Sequence, residues 1–180
     1  MTDWMPACGP GDEVNVVFAR GLSPDALTEG LRNLRREVLD EGAADGWAWA
    51  AHRMHDWESE DYEDADYPRL CADGTELVVF AMEPCSAKAF PPAFSYYRDG
   101  RLVLHFGFED LGQRLGDNPD HLSPELLAAG LIGPASECDW KAEGHDCSDH
   151  ADDDERRLVR TLATHFRLPA PPLSPEVTAR

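Results

Sequence analysis

The sequence predicts an α+β fold, in which an antiparallel sheet of about five strands packs its helices on one face. Four apolar segments with strand character follow one another in the middle of the chain instead of alternating with helices. Asp99-Gly100 separates two of these segments, and this pair is typical of a two-residue β-hairpin turn. Two Ser-Pro steps and an amphipathic segment near the C-terminal end indicate helices outside this group of strands.

A strand followed by a helix is predicted at the start of the chain. Valine and phenylalanine alternate over residues 12–20, as expected for a strand with one buried face. Ser23 is then a good N-cap, and Pro24 takes the first helical position, where its missing N–H costs nothing. We expect this helix to continue to about Gly42, because an apolar stripe at helical spacing carries Leu27, Leu31, Leu34 and Val38.

The central strands are predicted from alternation and from turns. A strand begins at Trp47 after a glycine, and a buried strand covers residues 75–83 after an Asp-Gly turn. The hairpin around Asp99-Gly100 should bring two aromatic residues of its first strand opposite two apolar residues of its second. These cross-strand neighbours are Phe94, Tyr96, Leu104 and Phe106.

The remainder of the chain is predicted to be helical. One helix begins at Ser123-Pro124 and ends near Gly130. Another begins at Asp152, with Glu155 three residues on as in a capping box, and its inward residues are Leu158, Leu162 and Phe166. We expect one domain over residues 1–180, with irregular termini at 1–11 and 168–180.

Charge excludes several classes of function. The chain has 16 Lys and Arg against 35 Asp and Glu, which gives a net charge of -19 and a pI near 4.5. Phosphate binding needs basic side chains, so we expect no nucleic-acid partner and no anionic membrane surface. No apolar run approaches the ~18 residues that cross a bilayer, and the start lacks a secretory signal. Five scattered cysteines favour a cytoplasmic protein with reduced thiols.

The segment from Asp56 to Asp66 is a candidate interface, because it holds seven acidic residues together with aromatic ones. The carboxylates steer encounter with a basic surface, and the aromatic rings provide anchors or cation–π contacts to arginine. The hypothesis of a basic protein partner assigns its contacts to Trp57, Glu58, Glu60, Asp61, Tyr62, Glu63, Asp64 and Asp66. The alternative is a solvated loop, since runs of charge usually face water.

A second candidate site combines thiols and imidazoles, which are the ligands that zinc prefers. Its four members, at the spacing C-x6-H-x-C-x2-H, are Cys138, His145, Cys147 and His150. All four lie in one short stretch, whereas structural zinc sites usually join two separated pairs. A Cys138–Cys147 disulfide and a solvated acidic loop are the alternatives, and zinc is the only cofactor that the sequence suggests.

The sequence contains none of the familiar catalytic motifs. It has no G-x-S-x-G, no H-E-x-x-H, no phosphate-binding glycine loop and no dinucleotide fingerprint. His105 should lie on the face of the hairpin opposite Leu104 and Phe106, where an acid nearby would be needed to make it a general base. His52 and His55 are expected to be surface histidines.

The stretch VVFARGLSPDALTEGL resembles an uncharacterised actinomycete family, a domain of unknown function whose members open with an aromatic strand and an Arg-Gly-Leu-x-Pro turn into a helix. Further matching positions, spread from about Val14 to Phe166, are Trp47, Gly74-Thr75, Phe94, Asp99-Gly100, Phe106, Gly116, Pro119 and Gly130-Leu131. The resemblance implies a strand at Trp47 but no catalytic residues. The acidic segment and the Cys/His segment depart from the pattern of the family.

Two functions therefore remain as hypotheses. The first is an acidic cytoplasmic binding protein that engages a basic protein partner, either in immunity or antitoxin-like neutralisation or in regulation. The second is a zinc protein that uses the Cys/His segment, and a metal-dependent hydrolase is one form of this hypothesis. Four protein ligands would leave zinc no open position for a substrate, so a structural role is favoured over a catalytic one.

Overall fold

The computed structural model describes residues 14–54, 65–82, 92–134 and 148–170. In these ranges the strands number seven and form one antiparallel sheet in the order β2-β3-β1-β4-β5-β6-β7. The strands are β1 (Val14–Arg20), β2 (Val38–Ala44), β3 (Trp47–Arg53), β4 (Glu76–Met82), β5 (Ala93–Arg98), β6 (Arg101–Gly107) and β7 (Asp110–Leu115). The α-helices are α1 (Pro24–Asn33), α2 (Ser123–Ala128) and α3 (Ser148–Phe166). The α+β class and the antiparallel sheet are thus confirmed.

Helices cover both faces of the sheet, so the prediction of helices on one face is wrong. Strand β1 is buried on both sides because its successive side chains point to opposite faces. Val16 and Phe18 belong to the first face, which packs against α2 and α3. Val17 and Ala19 belong to the second face, which packs against α1 and a 3₁₀ turn at Tyr67–Leu70. Two separate apolar cores result.

Helix α1 begins as predicted but ends early. The Ser23 hydroxyl accepts a hydrogen bond from the backbone N–H of Ala26 at 3.2 Å, so the N-cap is confirmed. The helix stops at Asn33 instead of Gly42, because Arg35 takes a φ of 59°, which a right-handed helix cannot continue. Val38 then starts β2, an edge strand, and its place on the helical stripe is coincidental.

Strand β7 lies in a segment that we predicted to be helical. It is a second edge strand with mostly exposed side chains, and Leu115 is 62% exposed. An edge strand that buries so little carries no clear apolar alternation, which is why the sequence pattern missed it. Strands β2 and β7 account for the difference between seven strands and the predicted five or so.

The central strands and the hairpin agree with the prediction. Phe94 lies opposite Phe106 and Tyr96 opposite Leu104, and Asp99 and Gly100 both have positive φ. Helix α2 starts one residue earlier than the cap prediction implies, since Leu122 and not Ser123 is its N-cap residue.

Helix α3 begins at Ser148, so the predicted cap at Asp152 lies inside the helix. Its three inward residues are buried as predicted, namely Leu158, Leu162 and Phe166. Across the described ranges, no helix combines the length and the apolar character needed to span a bilayer.

Candidate functional site

A cleft of about 350 Å³ opens on the first face of the sheet, beside the C-terminal end of α3. We call it the His121 cleft, and its lining residues are Arg20, Glu76, Tyr96, His121, His165, Phe166 and Arg167. This size is at the small end of the range found for small-molecule sites. Its walls combine two arginines, two histidines, a tyrosine and a glutamate, a mixture that suits binding of a polar ligand.

The strand register supplies one wall of the cleft. Arg20 at the end of β1 pairs with Glu76 at the start of β4, and Glu76 pairs in turn with Arg98 of β5. Tyr96 lies two residues before Arg98, so both side chains point to the same face of the sheet. Three neighbouring strands therefore bring their polar ends together under α3.

Glu76 is the centre of the hydrogen bonds in this wall. Its Oε2 accepts from Arg20 Nη1 at 2.8 Å, and its Oε1 accepts from the Tyr96 hydroxyl at 3.3 Å. Arg98 Nε lies 3.8 Å from the same Oε1 atom. Both carboxylate oxygens of Glu76 are consequently engaged by the protein itself.

Arg20 is held in place by two further contacts. Its guanidinium carbon lies 4.2 Å from the centroid of the Trp47 ring, which is a cation–π distance. Its Nη2 donates to the backbone carbonyl of Phe166 at 3.3 Å. That carbonyl belongs to the last turn of α3, where carbonyls lack partners within the helix. Arg20 thus joins the sheet to the helix end.

The opposite wall carries two histidines and a carboxylate. His165 Nδ1 lies 3.0 Å from Glu125 Oε1, so a proton on Nδ1 is donated to the carboxylate. This contact directs the second nitrogen of His165, Nε2, away from Glu125. The ring of His121 stacks on Tyr96 at 5.2 Å between centroids and meets the ring of His165 edge-on at 5.6 Å.

Two groups in the cleft have shifted acidities. Burial lowers the pKa of His121 below its usual 6.5, and the neighbouring His165 lowers it further. Burial, together with the nearby Glu76 carboxylate, raises the pKa of Tyr96 to about 12. At neutral pH His121 is therefore an uncharged imidazole able to accept a proton, while Tyr96 remains a hydroxyl donor.

The structure tests little of the predicted partner site. Trp57, Glu58, Glu60, Asp61, Tyr62, Glu63 and Asp64 lie outside the described residues. Asp66 is described: it is exposed and forms an ion pair with Arg69 at 2.8 Å. The role of this segment in partner binding stays a prediction.

The predicted zinc site is also mostly outside the described residues, where Cys138, His145 and Cys147 lie. His150 falls in the first turn of α3. Among the described residues no group of three or more histidine, cysteine, aspartate and glutamate side chains could hold a metal. The zinc and disulfide hypotheses for the Cys/His segment therefore stay predictions.

Two other histidines have defined surroundings. His105 lies opposite Ser95 on the second face, as predicted, and its Nδ1 is 2.9 Å from the Ser95 hydroxyl. His52 is fully buried, so the expectation of a surface histidine is wrong. It lies in β3, which packs against apolar residues on both of its faces.

The His121 cleft was not predicted from the sequence. Its polar residues come from β1, β4, β5, the loop before α2 and the end of α3, and no two of them form a recognised motif. The only local signal is Glu125 at the start of α2, which gives no indication of its contact with His165, 40 residues away.

Comparisons with known proteins give no family for this chain: no family model matches it, and no significant match was found among curated proteins or solved structures. The resemblance to an actinomycete family consequently stays a prediction. Function has to be argued from the geometry of the chain itself.

Proposed function

We propose that this protein binds a small polar molecule in the His121 cleft and exchanges protons with it. The observation that carries the proposal is the convergence of His121, Tyr96 and the His165–Glu125 pair on one cleft. Pairs of titratable groups whose surroundings push their pKa values apart are characteristic of acid–base sites. Such an arrangement also occurs in structural networks, so a binding experiment is the appropriate test.

Each group has a distinct role in this proposal. Glu125 positions His165 by accepting its Nδ1 proton, which leaves Nε2 to face a ligand. His121 is uncharged at neutral pH and serves as the proton acceptor. Tyr96 keeps its proton and fixes Glu76, while its ring supports the ring of His121. The stacked rings give the cleft an apolar wall beside its polar groups.

Histidine resonances provide the test. A set of small fragments is titrated into the protein while the imidazole signals are followed by NMR, and we expect some fragments to shift His121 and His165 together. The variants H121Q and H165Q should weaken those fragments roughly tenfold or more, because each removes a polar contact in the cleft. H105Q is the matched control, since His105 lies on the other face of the sheet.

Two outcomes of these titrations would contradict the proposal. If fragments shift His105 as strongly as His121, or bind H121Q and H165Q as tightly as the original protein, the cleft is not the binding site. The folded state of each variant is checked first by its thermal transition, so that a loss of binding is not confused with unfolding.

A second function is proposed from a separate observation, the net charge of -19. We propose that the acidic surface engages a basic protein partner, in neutralisation or in regulation. Long-range attraction of this kind raises association rates and is screened by salt. A ligand in the His121 cleft and a partner on the acidic surface are compatible with one another.

A further inference from the structure

We propose that the ligand of the His121 cleft carries an oxyanion, either a carboxylate or a phosphate, and that Arg167 is its principal contact. This inference rests on the proposed binding function and names the class of ligand. The argument comes from which hydrogen-bonding groups of the cleft are already used, from the position of Arg167, and from the charge of the walls.

The carboxylate acceptors of the cleft are already engaged or buried. Both oxygens of Glu76 accept hydrogen bonds, from Arg20 and from Tyr96. One oxygen of Glu125 is bound to His165, and the other is buried from solvent. Apart from the imidazole nitrogens, a ligand entering the cleft therefore finds few acceptors to which it could donate.

Donors, in contrast, remain available. Arg167 lines the cleft with a guanidinium that carries five N–H donors, and it forms no ion pair or hydrogen bond through its side chain within the described residues. Arg20 uses Nη1 and Nη2 for one contact each and keeps further N–H groups. A surplus of donors favours a ligand that consists of acceptors, and an oxyanion is the strongest acceptor of this kind.

The backbone position of Arg167 supports the same conclusion. It follows the last residue of α3 with a φ of 55°, in the left-handed region that favours glycine. At the equivalent position after α2 the chain has Gly130, with a φ of 68°. An arginine after α3 carries a steric cost that glycine would avoid, and it places a cation at the edge of the cleft.

Local charge adds to this argument. Arg20 and Arg167 line the cleft with Glu76, while Arg98 adjoins Glu76 and Glu125 adjoins His165. Three arginines thus stand against two glutamates around the cleft, although the whole chain carries -19. Tyr96, His121 and Phe166 supply aromatic surface beside these groups. A flat apolar body with one anionic group fits this combination.

Benzoate and benzamide are the first two probes, because they share size and shape and differ in charge. Inorganic phosphate is the third probe. Binding is measured by the shifts of the His121 and His165 resonances. We expect benzoate or phosphate to bind at least about tenfold more tightly than benzamide, as charge-assisted hydrogen bonds exceed neutral ones. Binding of benzoate without phosphate identifies a carboxylate ligand, and the reverse identifies a phosphate ligand.

The variant R167G tests the contact directly. Glycine suits the left-handed backbone, so this change should leave the thermal transition unchanged or raised while weakening the anion at least about tenfold. R35G is the matched control, because Arg35 follows α1 with a φ of 59° and is exposed away from the cleft lining. It removes the same charge and relieves the same backbone strain, and anion affinity should not change.

The outcomes separate the two proposals. If benzamide binds as tightly as benzoate and phosphate, or if R167G and R35G behave alike, the oxyanion inference is wrong while binding in the cleft stands. If no probe of either charge, and no fragment, shifts His121 and His165, both proposals fail. Loss of anion binding in R167G together with retention in R35G supports the inference.

Discussion

At the scale of single residues, His52 is a buried imidazole whose hydrogen bonds are complete. Its Nδ1 donates to the backbone carbonyl of Arg53 at 2.7 Å, and its Nε2 accepts from the Tyr67 hydroxyl at 3.0 Å. The amide of Asn15 donates to the same hydroxyl at 2.7 Å. This chain of contacts requires the neutral form of His52, since a protonated ring has no acceptor to offer Tyr67.

The free energy of unfolding should therefore decrease as the pH is lowered, because the unfolded chain takes up a proton at His52. Burial lowers its pKa from 6.5 to about 4, so between these values the unfolded chain binds a proton that the folded chain excludes. The contribution is fully present above pH 6.5 and is lost as the pH falls towards 4, by roughly 3 kcal/mol at most. Urea unfolding at pH values from 7.5 to 4.5 measures the slope.

The comparison with a variant isolates this residue from the many carboxylates that titrate in the same range. H52Q should show a shallower loss of unfolding free energy between about pH 6.5 and 4.5 than the original protein, because its side chain does not titrate. H105Q removes a partly exposed histidine instead and is measured beside it, as a control for the loss of a histidine outside the core. Parallel curves for H52Q and the original protein would contradict the assignment.

At the scale of elements, the three helices end in the same way. After each one, a residue with positive φ is followed by a residue whose N–H bonds to a carbonyl five residues back, as in the Schellman motif. These bonds join Arg36 to Leu31, Leu131 to Leu126 and Leu168 to Ala163. The residue with positive φ is glycine only after α2, and it is arginine after α1 and α3.

The end of α1 can be tested by R35G. We expect this change to raise the free energy of unfolding by about 0.5 to 1 kcal/mol, because glycine adopts the left-handed conformation without a steric penalty. The matched change R32G, in the last turn of the same helix, should lower it by about 1 kcal/mol. Chemical denaturation measures both. Equal destabilisation by the two changes would show that backbone conformation at Arg35 does not end the helix.

The length of α1 could not be predicted from periodicity alone. Its apolar stripe continues through Leu34 and Val38 at helical spacing. An arginine at position 35 does not indicate a left-handed backbone conformation in the way that a glycine would. In the folded chain Val38 pairs instead with His52 across β2 and β3. Tertiary pairing overrides the local preference here, whereas Ser23-Pro24 and Asp99-Gly100 act locally and were interpreted correctly.

At the scale of the whole molecule, the net charge of -19 is the property that most affects association. The proposed complex with a basic protein should weaken steeply with added salt, because surface charges are screened beyond about 10 Å at 0.1 M salt. The first test is the affinity for a polyarginine peptide, measured by anisotropy at low salt and again at physiological salt.

Neutralising Asp61, Glu63 and Asp64 together tests whether the acidic segment is the contact. We expect a larger loss of peptide affinity than in a control with the same total charge, in which three exposed acids elsewhere are neutralised. These control residues are Glu29, Asp45 and Glu109. If the two triple variants bind equally, net charge alone accounts for the association; if neither salt nor neutralisation matters, the proposal of a basic partner is wrong.

The zinc hypothesis also concerns the whole chain. Elemental analysis of protein purified without a metal-affinity tag should find about one zinc per chain if the Cys/His segment binds it, as expected for a tetrahedral thiolate and imidazole site. The variant C147S should then lose that zinc. An absence of zinc in the original protein would leave the disulfide and the solvated loop as the alternatives.

The sequence by itself determined the α+β class, the central strands and the register of the hairpin. These depend on alternation and on turn residues, which act between neighbours in the chain. Only the tertiary structure decided that helices cover both faces and that the polar ends of three strands meet His121 and His165. The contact of Arg20 with Phe166 spans 146 residues, and no local pattern encodes such a distance. Sheet order and helix packing bring those side chains together.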